Sequence, residues 1–339
     1  MSSVYVPDRG AQGPPGVRYP RRRMSHHASR GEASAPWFDA LAERPLATAV
    51  VGALIIAVSA ILVRLADVPP ATAAFFRCLY ALPPLALLAL LEERRYGPRG
   101  AGQRRLAWLA GLFFAIDLVV WHHAINAVGA GLATVLGNTQ VVIVPLIAWA
   151  VLGERPSLRV AAAVPVVLAG VILISGVVGA DAFGDDPLLG VLFGVATGFA
   201  YAGFLLVLRR GNADQRRPAG PLFDATLSAT LFCAAIGLPL GELELVPSLP
   251  SHAWLVLLAL GVQVAGWLVI SISLPRLPAA LTSVVLTIQP VGSVLLGIWI
   301  LAEQPSELQL LGTLCILAGL AIATLRRRDP ARIAEPEIG

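Results

Sequence analysis

The sequence predicts an all-α membrane protein, with ten transmembrane helices arranged as two inverted five-helix repeats. Three observations predict it. Apolar residues make up 57% of the 339 and charged residues only 14%, with a mean hydropathy of +0.76, which would leave a soluble globule without a polar surface. The apolar residues gather into long uninterrupted runs. The basic residues fall almost entirely into alternate gaps between those runs, as the loops on one side of a membrane do.

The chain starts with the Pro, Gly, Ser and Arg-rich stretch GAQGPPGVRYPRRRMSHHASRGEASAP, which has little to bury, so residues 1–44 are expected to form a disordered cytoplasmic tail. Apolar runs then follow at 46–64, 70–91, 107–126, 131–152, 160–179, 188–208, 221–241, 253–273, 279–301 and 307–325. A helix needs about 20 apolar residues to cross about 30 Å of hydrocarbon. The runs meet that length, are about twice as long as a barrel strand, and do not alternate polar with apolar, so they are read as helices. Residues 45–180 are assigned to the first repeat, 187–326 to the second and 327–339 to a second cytoplasmic tail.

The arginines test this segmentation independently. There is no lysine, and 23 of the 25 arginines fall in the tails or in alternate loops, leaving only Arg64 and Arg77 inside runs. The other loops, such as ADAFGDDP and GELELVPSLPSH, carry no basic residue. Cytoplasmic loops are the arginine-rich ones, so the expectation is a multi-pass protein of the cell membrane with both termini cytoplasmic.

Sliding the chain over itself by 149 residues aligns AGLATVLGNTQVVIVPLIAWAVLGERPS with AALTSVVLTIQPVGSVLLGIWILAEQPS without a gap. From Ala130 to Ser175 there are 13 identities, among them Gln140 with Gln289, Glu154 with Glu303 and Gly170 with Gly319. A shift of 146 matches residues 107–121 to 253–267, pairing Asp117 with Gln263 and Trp121 with Trp267. Five helices per unit is an odd number, so the second copy enters the membrane in the opposite sense. Two copies related by an in-plane pseudo-two-fold axis can exchange conformations and open a central cavity to each side in turn.

With these residues in view, the chain resembles the drug/metabolite transporter superfamily, specifically its ten-helix EamA-type members. The resemblance covers about residues 46–325 and rests on LGERPS and LAEQPS ending the duplicated helix, on the LAG helices that follow, and on the FFRCLYA run around Arg77. It implies a secondary transporter, an exporter of small metabolites or drugs, with protons as a candidate coupling ion. The second half departs from the pattern where Gly153-Glu154-Arg155 becomes Ala302-Glu303-Gln304.

Ionisable residues near span centres are the first candidates for the transport site, because a mid-bilayer charge costs about 3 kcal/mol or more unless it is paired or faces water. Asp117, central in its span, is either a proton- or cation-binding carboxylate or an acid hydrogen-bonded to a neighbouring helix. Arg77 either meets an anionic substrate group, pairs with Asp117, or fixes helix packing. Trp121 lies one turn from Asp117 and Trp267 one turn from Gln263, so each polar residue shares a face with an indole that could stack a flat solute. Gln140 and Gln289, equivalent in the repeat, either bind substrate or hydrogen-bond helices together. Asn138, Tyr80 and Tyr201 complete the candidates, and Glu154 and Glu303 either cap adjoining helices, the expected role, or take part in gates.

Other classes find less support. No GxxxxGK[ST], GxSxG or HExxH motif occurs, and Cys78, Cys233 and Cys315 have no metal-ligand spacing. An intramembrane enzyme or a membrane receptor is the alternative. No cofactor, metal or nucleic acid is expected; the expected partners are a small-molecule substrate, the lipid bilayer and protons, with the chain a monomer or a homodimer. The arginine count yields a test of topology. Single cysteines at Asp185 and Ser248, in a background free of native cysteines, are expected to react with an impermeant maleimide on intact cells, and those at Gly102 and Ala213 only after lysis. Reaction of all four from one side would refute the inverted arrangement.

Overall fold

The computed structural model describes residues 43–152, 155–179, 181–211, 216–273 and 279–324, together with Leu41 and Leu277; most of the two predicted tails, and Glu154, lie outside the described residues. The described residues form helices α1 (Pro45–Ala66), α2 (Pro70–Tyr96), α3 (Ala101–Val128), α4 (Ala130–Gly137 and Gln140–Leu152), α5 (Leu158–Ile174), α6 (Pro187–Gly211), α7 (Ala219–Leu240), α8 (Leu249–Ser273), α9 (Ala279–Leu301) and α10 (Glu307–Thr324). Eight are long and apolar enough to cross a membrane, and two apolar helices, Leu158–Ile174 and Ile288–Leu301, are shorter by that measure. No strand occurs among the described residues.

Helix ends follow local chemistry. Pro69 and Pro70 start α2, where a missing N–H costs nothing, and Gly97 stops it at φ 81°. Ser157 and Ser248 cap α5 and α8 by accepting from Val160 N and Ser251 N. The outer faces are greasy: Leu87, Leu231 and Leu238 are more than half exposed and Trp299 is 86% exposed, the pattern of a surface solvated by lipid.

Contacts between helix ends show that the segments run back and forth. The end of α2 meets the start of α7 where Glu92 accepts from Ala219 N (2.9 Å) and Gly220 N (2.7 Å). Beside it a buried ion pair joins Arg99 to Asp224 at 2.8 Å. At the opposite end the start of α2 meets the end of α7, where Thr72 Oγ1 donates to Glu242 O at 2.6 Å. There, too, the end of α3 meets the segment leading into α6, with Asp186 N donating to Ala127 O at 3.1 Å. Helix α1 therefore starts at the arginine-rich end and α6 at the other, so the second five run inverted relative to the first.

The packing respects the same duplication. Exchanging each helix with the one five places on maps α2–α7, α4–α9 and α5–α10 onto themselves, α3–α6 onto α1–α8, α3–α7 onto α2–α8, and α4–α6 onto α1–α9, and all of these pairs are in contact. The α5–α10 seam shows it atom by atom. A Cβ on Gly170 would lie 2.6 Å from Gly312 O, and the repeat-related Gly319 would place one 3.4 Å from Ala163 O. Small residues there let two backbones approach without hydrophobic help from water. Gly170→Val is accordingly expected to destabilise the fold by about 1 to 3 kcal/mol, read as a lower melting temperature in detergent; an unchanged value would contradict this close seam.

Candidate functional site

Two adjoining cavities lie among the helices of the bundle. Arg77, Asp117, Trp121, Asn138, Tyr201, Trp267 and Gln289 line the first. Gln140 lines the second, which shares Ile56, Tyr201, Trp267 and Gln289 with the first. The second also reaches Ala53, Leu205 and Ile270, which lie beyond the shared Ile56, Tyr201 and Trp267 along α1, α6 and α8 on the arginine-rich side, so the hollow extends towards that end.

Three breaks in regular helix surround this space. Helix α1 has a turn at Val58, between Ile56 and Ser59 of the cavity wall. Helix α4 breaks at Asn138 and Thr139, whose side chains donate to Thr134 O (2.8 Å) and Leu136 O (2.7 Å), carbonyls at the end of the preceding turn. Helix α8 widens into a π-helix over Leu258–Gly266, just before Trp267. Non-helical backbone at membrane depth is tolerated where it is buried or lines a cavity, and π-helical turns recur at functional sites.

Arg77, only 3% exposed, is fixed by neutral partners. Its Nε donates to Gln263 Oε1 at 3.0 Å and Nη1 to Ser59 Oγ at 3.2 Å, while the guanidinium lies 5.9 Å from the Phe114 ring and 6.0 Å from that of Trp121. The direct Arg77–Asp117 pair considered from sequence does not form: neither residue has an ion-pair partner within 4 Å among the described residues. Gln263 is wholly buried and stands behind Arg77 rather than in the cavity wall, passing its amide to Thr226 Oγ1 at 3.3 Å. Tyr80 also lies elsewhere, its hydroxyl 2.6 Å from His252 Nδ1.

The aromatic wall is a packed unit. Phe114 stacks on Phe204 at 4.6 Å, and Trp267 stands edge-on to Phe204 at 5.5 Å, Phe114 at 6.1 Å and Tyr201 at 6.3 Å. This fixes the indole plane, yet Trp267 Nε1 and the buried Thr197 Oγ1, on two cavity-lining residues, have no hydrogen-bond partner among the described residues. Sequence reasoning missed Ser59, Phe114, Thr134 and Thr197 as wall residues. Phe114 had a signal, because Phe114, Asp117 and Trp121 are spaced three and four residues apart on one helical face.

Away from the arginine-rich end the helix ends are tied together. Every residue of Ala130–Gly137 is buried, and Glu303 accepts from Ala130 N at 2.5 Å and Gly131 N at 3.2 Å, capping the start of α4. Gln309 holds Phe183 N (2.8 Å) and Ile174 O (3.3 Å) nearby, and His123 Nε2 lies 3.2 Å from Glu242 Oε2. Glu154, the repeat partner of Glu303, lies outside the described residues.

A duplicated bundle of apolar helices around a buried, mixed polar and aromatic hollow defines a membrane protein of the solute-transporter type. The chain belongs to the EamA-like transporter family, whose profile it matches over residues 44–176 and 188–325. It is 24% identical over 274 residues to the uncharacterized transporter sll1319 of Synechocystis, covering 75% of this chain and 79% of that one. It is also similar to a solved crystal structure at 19% identity with a TM-score of 0.54, over 83% of this chain and 97% of the other, which shows the fold alone.

The Glu303 cap generates a test. Burial pushes its carboxyl above the ordinary glutamate range, against the opposing pull of the two backbone N–H groups and Arg64. A carboxyl raised in this way binds its proton more tightly folded than unfolded, so its contribution to stability falls as pH rises from the ordinary glutamate value through the raised one. In detergent, the stability difference between wild type and Glu303→Gln is expected to shift with pH in that direction. Glu303→Ala, which leaves two buried N–H groups unpaired, is expected to cost about 1 to 3 kcal/mol for each. Parallel pH profiles for wild type and Glu303→Gln would contradict the buried cap.

Proposed function

We propose that this protein is a secondary transporter that exports small metabolites or drugs across the cell membrane by alternating access, crossing the bilayer ten times with both termini in the cytoplasm. The observation that carries it is the central hollow: walls drawn from both halves, three helix breaks around it, and an aromatic and amide lining suited to a small flat solute. Loading from inside is supported by the extension of the hollow towards the arginine-rich end while the other end is tied together by Glu303 and its neighbours. Protons are the proposed coupling ion and Asp117 their carrier, since its carboxyl lines the cavity and has no fixed ion-pair partner there.

The experiment is a metabolite and toxicity screen comparing overexpression with deletion, followed by flux of the responding solute in proteoliposomes under an imposed pH gradient. Trp121→Ala and Trp267→Ala are expected to reduce flux at least tenfold in folded, inserted protein, and Asp117→Asn to abolish gradient-driven flux while sparing exchange at equal pH. Normal gradient-driven flux in all three variants would reject the cavity as the transport site.

A further inference from the structure

The hollow contains two opposite charges whose abilities differ. Arg77 stays protonated at any accessible pH and cannot discharge itself, whereas a carboxyl in the same place can take up a proton. Gln263 and Ser59 hold Nε and Nη1 of Arg77, both through neutral oxygens. Nη2 has no protein partner among the described residues, and the Phe114 and Trp121 rings flank the guanidinium. With its carboxyl ionised, Asp117 would be the empty cavity's counter-charge, acting without direct contact. An anion seated on Arg77 would share that cavity with Asp117, and two negative charges against one positive in a space shielded from bulk water are unfavourable.

We propose that the cavity binds a small, flat organic anion, whose acid group replaces Asp117 as the counter-ion of Arg77 while Asp117 takes up one proton from the aqueous phase. This rests on the transport reading of the same cavity and adds its substrate class and stoichiometry. The loaded and empty cavities then carry the same net charge, Arg77 balanced by the bound anion in one and by Asp117 in the other. A flat cation would leave the cavity with a net positive charge, because Asp117 offsets only that of Arg77. A neutral solute would leave both charges as they were and move no proton. The donors Trp267 Nε1 and Thr197 Oγ1, without a hydrogen-bond partner among the described residues, suit the acceptor-rich edge of an acid, and the rings of Phe114, Trp121 and Tyr201 suit its flat body. The charged and titratable groups that interact with Asp117 among the described residues are Arg77 of α2 and Tyr201 of α6, while Cys78 and Cys233 lie about Arg77 and His122 of α3 is tied to Pro70 O at 3.0 Å. The facing residues of α1, α4, α8 and α9 are neutral: Ser59, Thr134, Asn138, Gln263, Trp267 and Gln289. A substrate accumulated inside would leave down its own gradient together with a proton.

The test uses the full chain in detergent with three probes of one shape: benzoate, benzamide and benzylammonium. Benzoate is expected to raise the melting temperature most. Its apparent affinity is expected to weaken about tenfold per pH unit wherever the empty site is ionised, because each anion binds with one proton. In weak buffer, adding benzoate is expected to make the solution alkaline by one proton per site filled, a measurement that needs no variant. Asp117→Asn is expected to bind benzoate with no pH dependence, and Arg77→Gln to lose the preference over benzamide. The proposal is overturned by pH-independent benzoate affinity in wild type, by absence of proton uptake, by stronger stabilisation from benzylammonium or benzamide, or by no stabilisation from any probe. Stabilisation by benzamide or benzylammonium that Trp267→Ala removes would sink the anion assignment and leave the transport cavity standing. Proton-linked benzoate binding in a protein that moves no solute would instead keep the anion site and sink the transport reading.

Discussion

A guanidinium that cannot lose its proton, buried at the centre of an apolar bundle, is the constraint around which the rest of this structure is arranged. Placing arginine in a membrane helix costs up to about 3 kcal/mol on insertion scales, the figure for the helix centre, and the protein meets its share of that cost without a direct carboxylate contact. Arg77 on α2 reaches Ser59 on α1 and Gln263 on α8, and Gln263 passes the connection to Thr226 on α7. Phe114 and Trp121 on α3 add the faces of their rings. A single side chain thus ties four helices to its own and links the two halves. Because its partners are neutral, its charge is left to act on whatever enters the cavity.

The second constraint is backbone satisfaction in lipid, and it explains where the helices are allowed to break. An unpaired backbone N–H or C=O facing hydrocarbon costs several kcal/mol, so a break in a membrane helix is best tolerated where its groups are paired or line a cavity. The break at Asn138 and Thr139 is stabilised by their own side chains, which donate to carbonyls of the preceding turn. The π-helical stretch of α8 sits against α2, on the side where Gln263 meets Arg77. Interruption, polarity and empty space coincide because each is tolerable only where the others are present.

Much of the fold was legible in the sequence, because apolar length and arginine placement are one-dimensional signals that a bilayer reads directly. The central placement of Asp117, Trp121, Trp267 and Gln289 was legible for a related reason, since depth in the membrane follows from position along a span. What the sequence could not supply was rotation. A lipid-facing helix that is apolar all round has no polar face to say which way it turns, so the choice of Gln263 over Asp117 as the partner of Arg77 was hidden. Tyr80 shows the same limit: three residues beyond Arg77, it turns far enough round α2 to meet His252 instead. Ser59 and Thr197 are small hydroxyl residues of a kind scattered through many membrane helices, and nothing in their spacing marks them.

The duplication also constrains how such a bundle can move. If the two halves exchange conformations, a contact that the pseudo-symmetry maps onto itself must look the same before and after, while contacts that map onto each other must swap geometries. The α2–α7, α4–α9 and α5–α10 contacts are of the first kind, and the α5–α10 seam, with Gly170 against Gly312 and Gly319 against Ala163, is the most closely approached. The α3–α6 and α1–α8 contacts are of the second kind, and they are unequal now: α3 packs along α6 more extensively than α1 along α8. Under that condition α5 and α10 would be the fixed hinge, and the reverse state would be reached by loosening α3 from α6 while α1 closed onto α8. Trp121 rides on α3 and Trp267 on α8, one on each side of that exchange, so the aromatic walls of the hollow belong to the elements that must move past the solute.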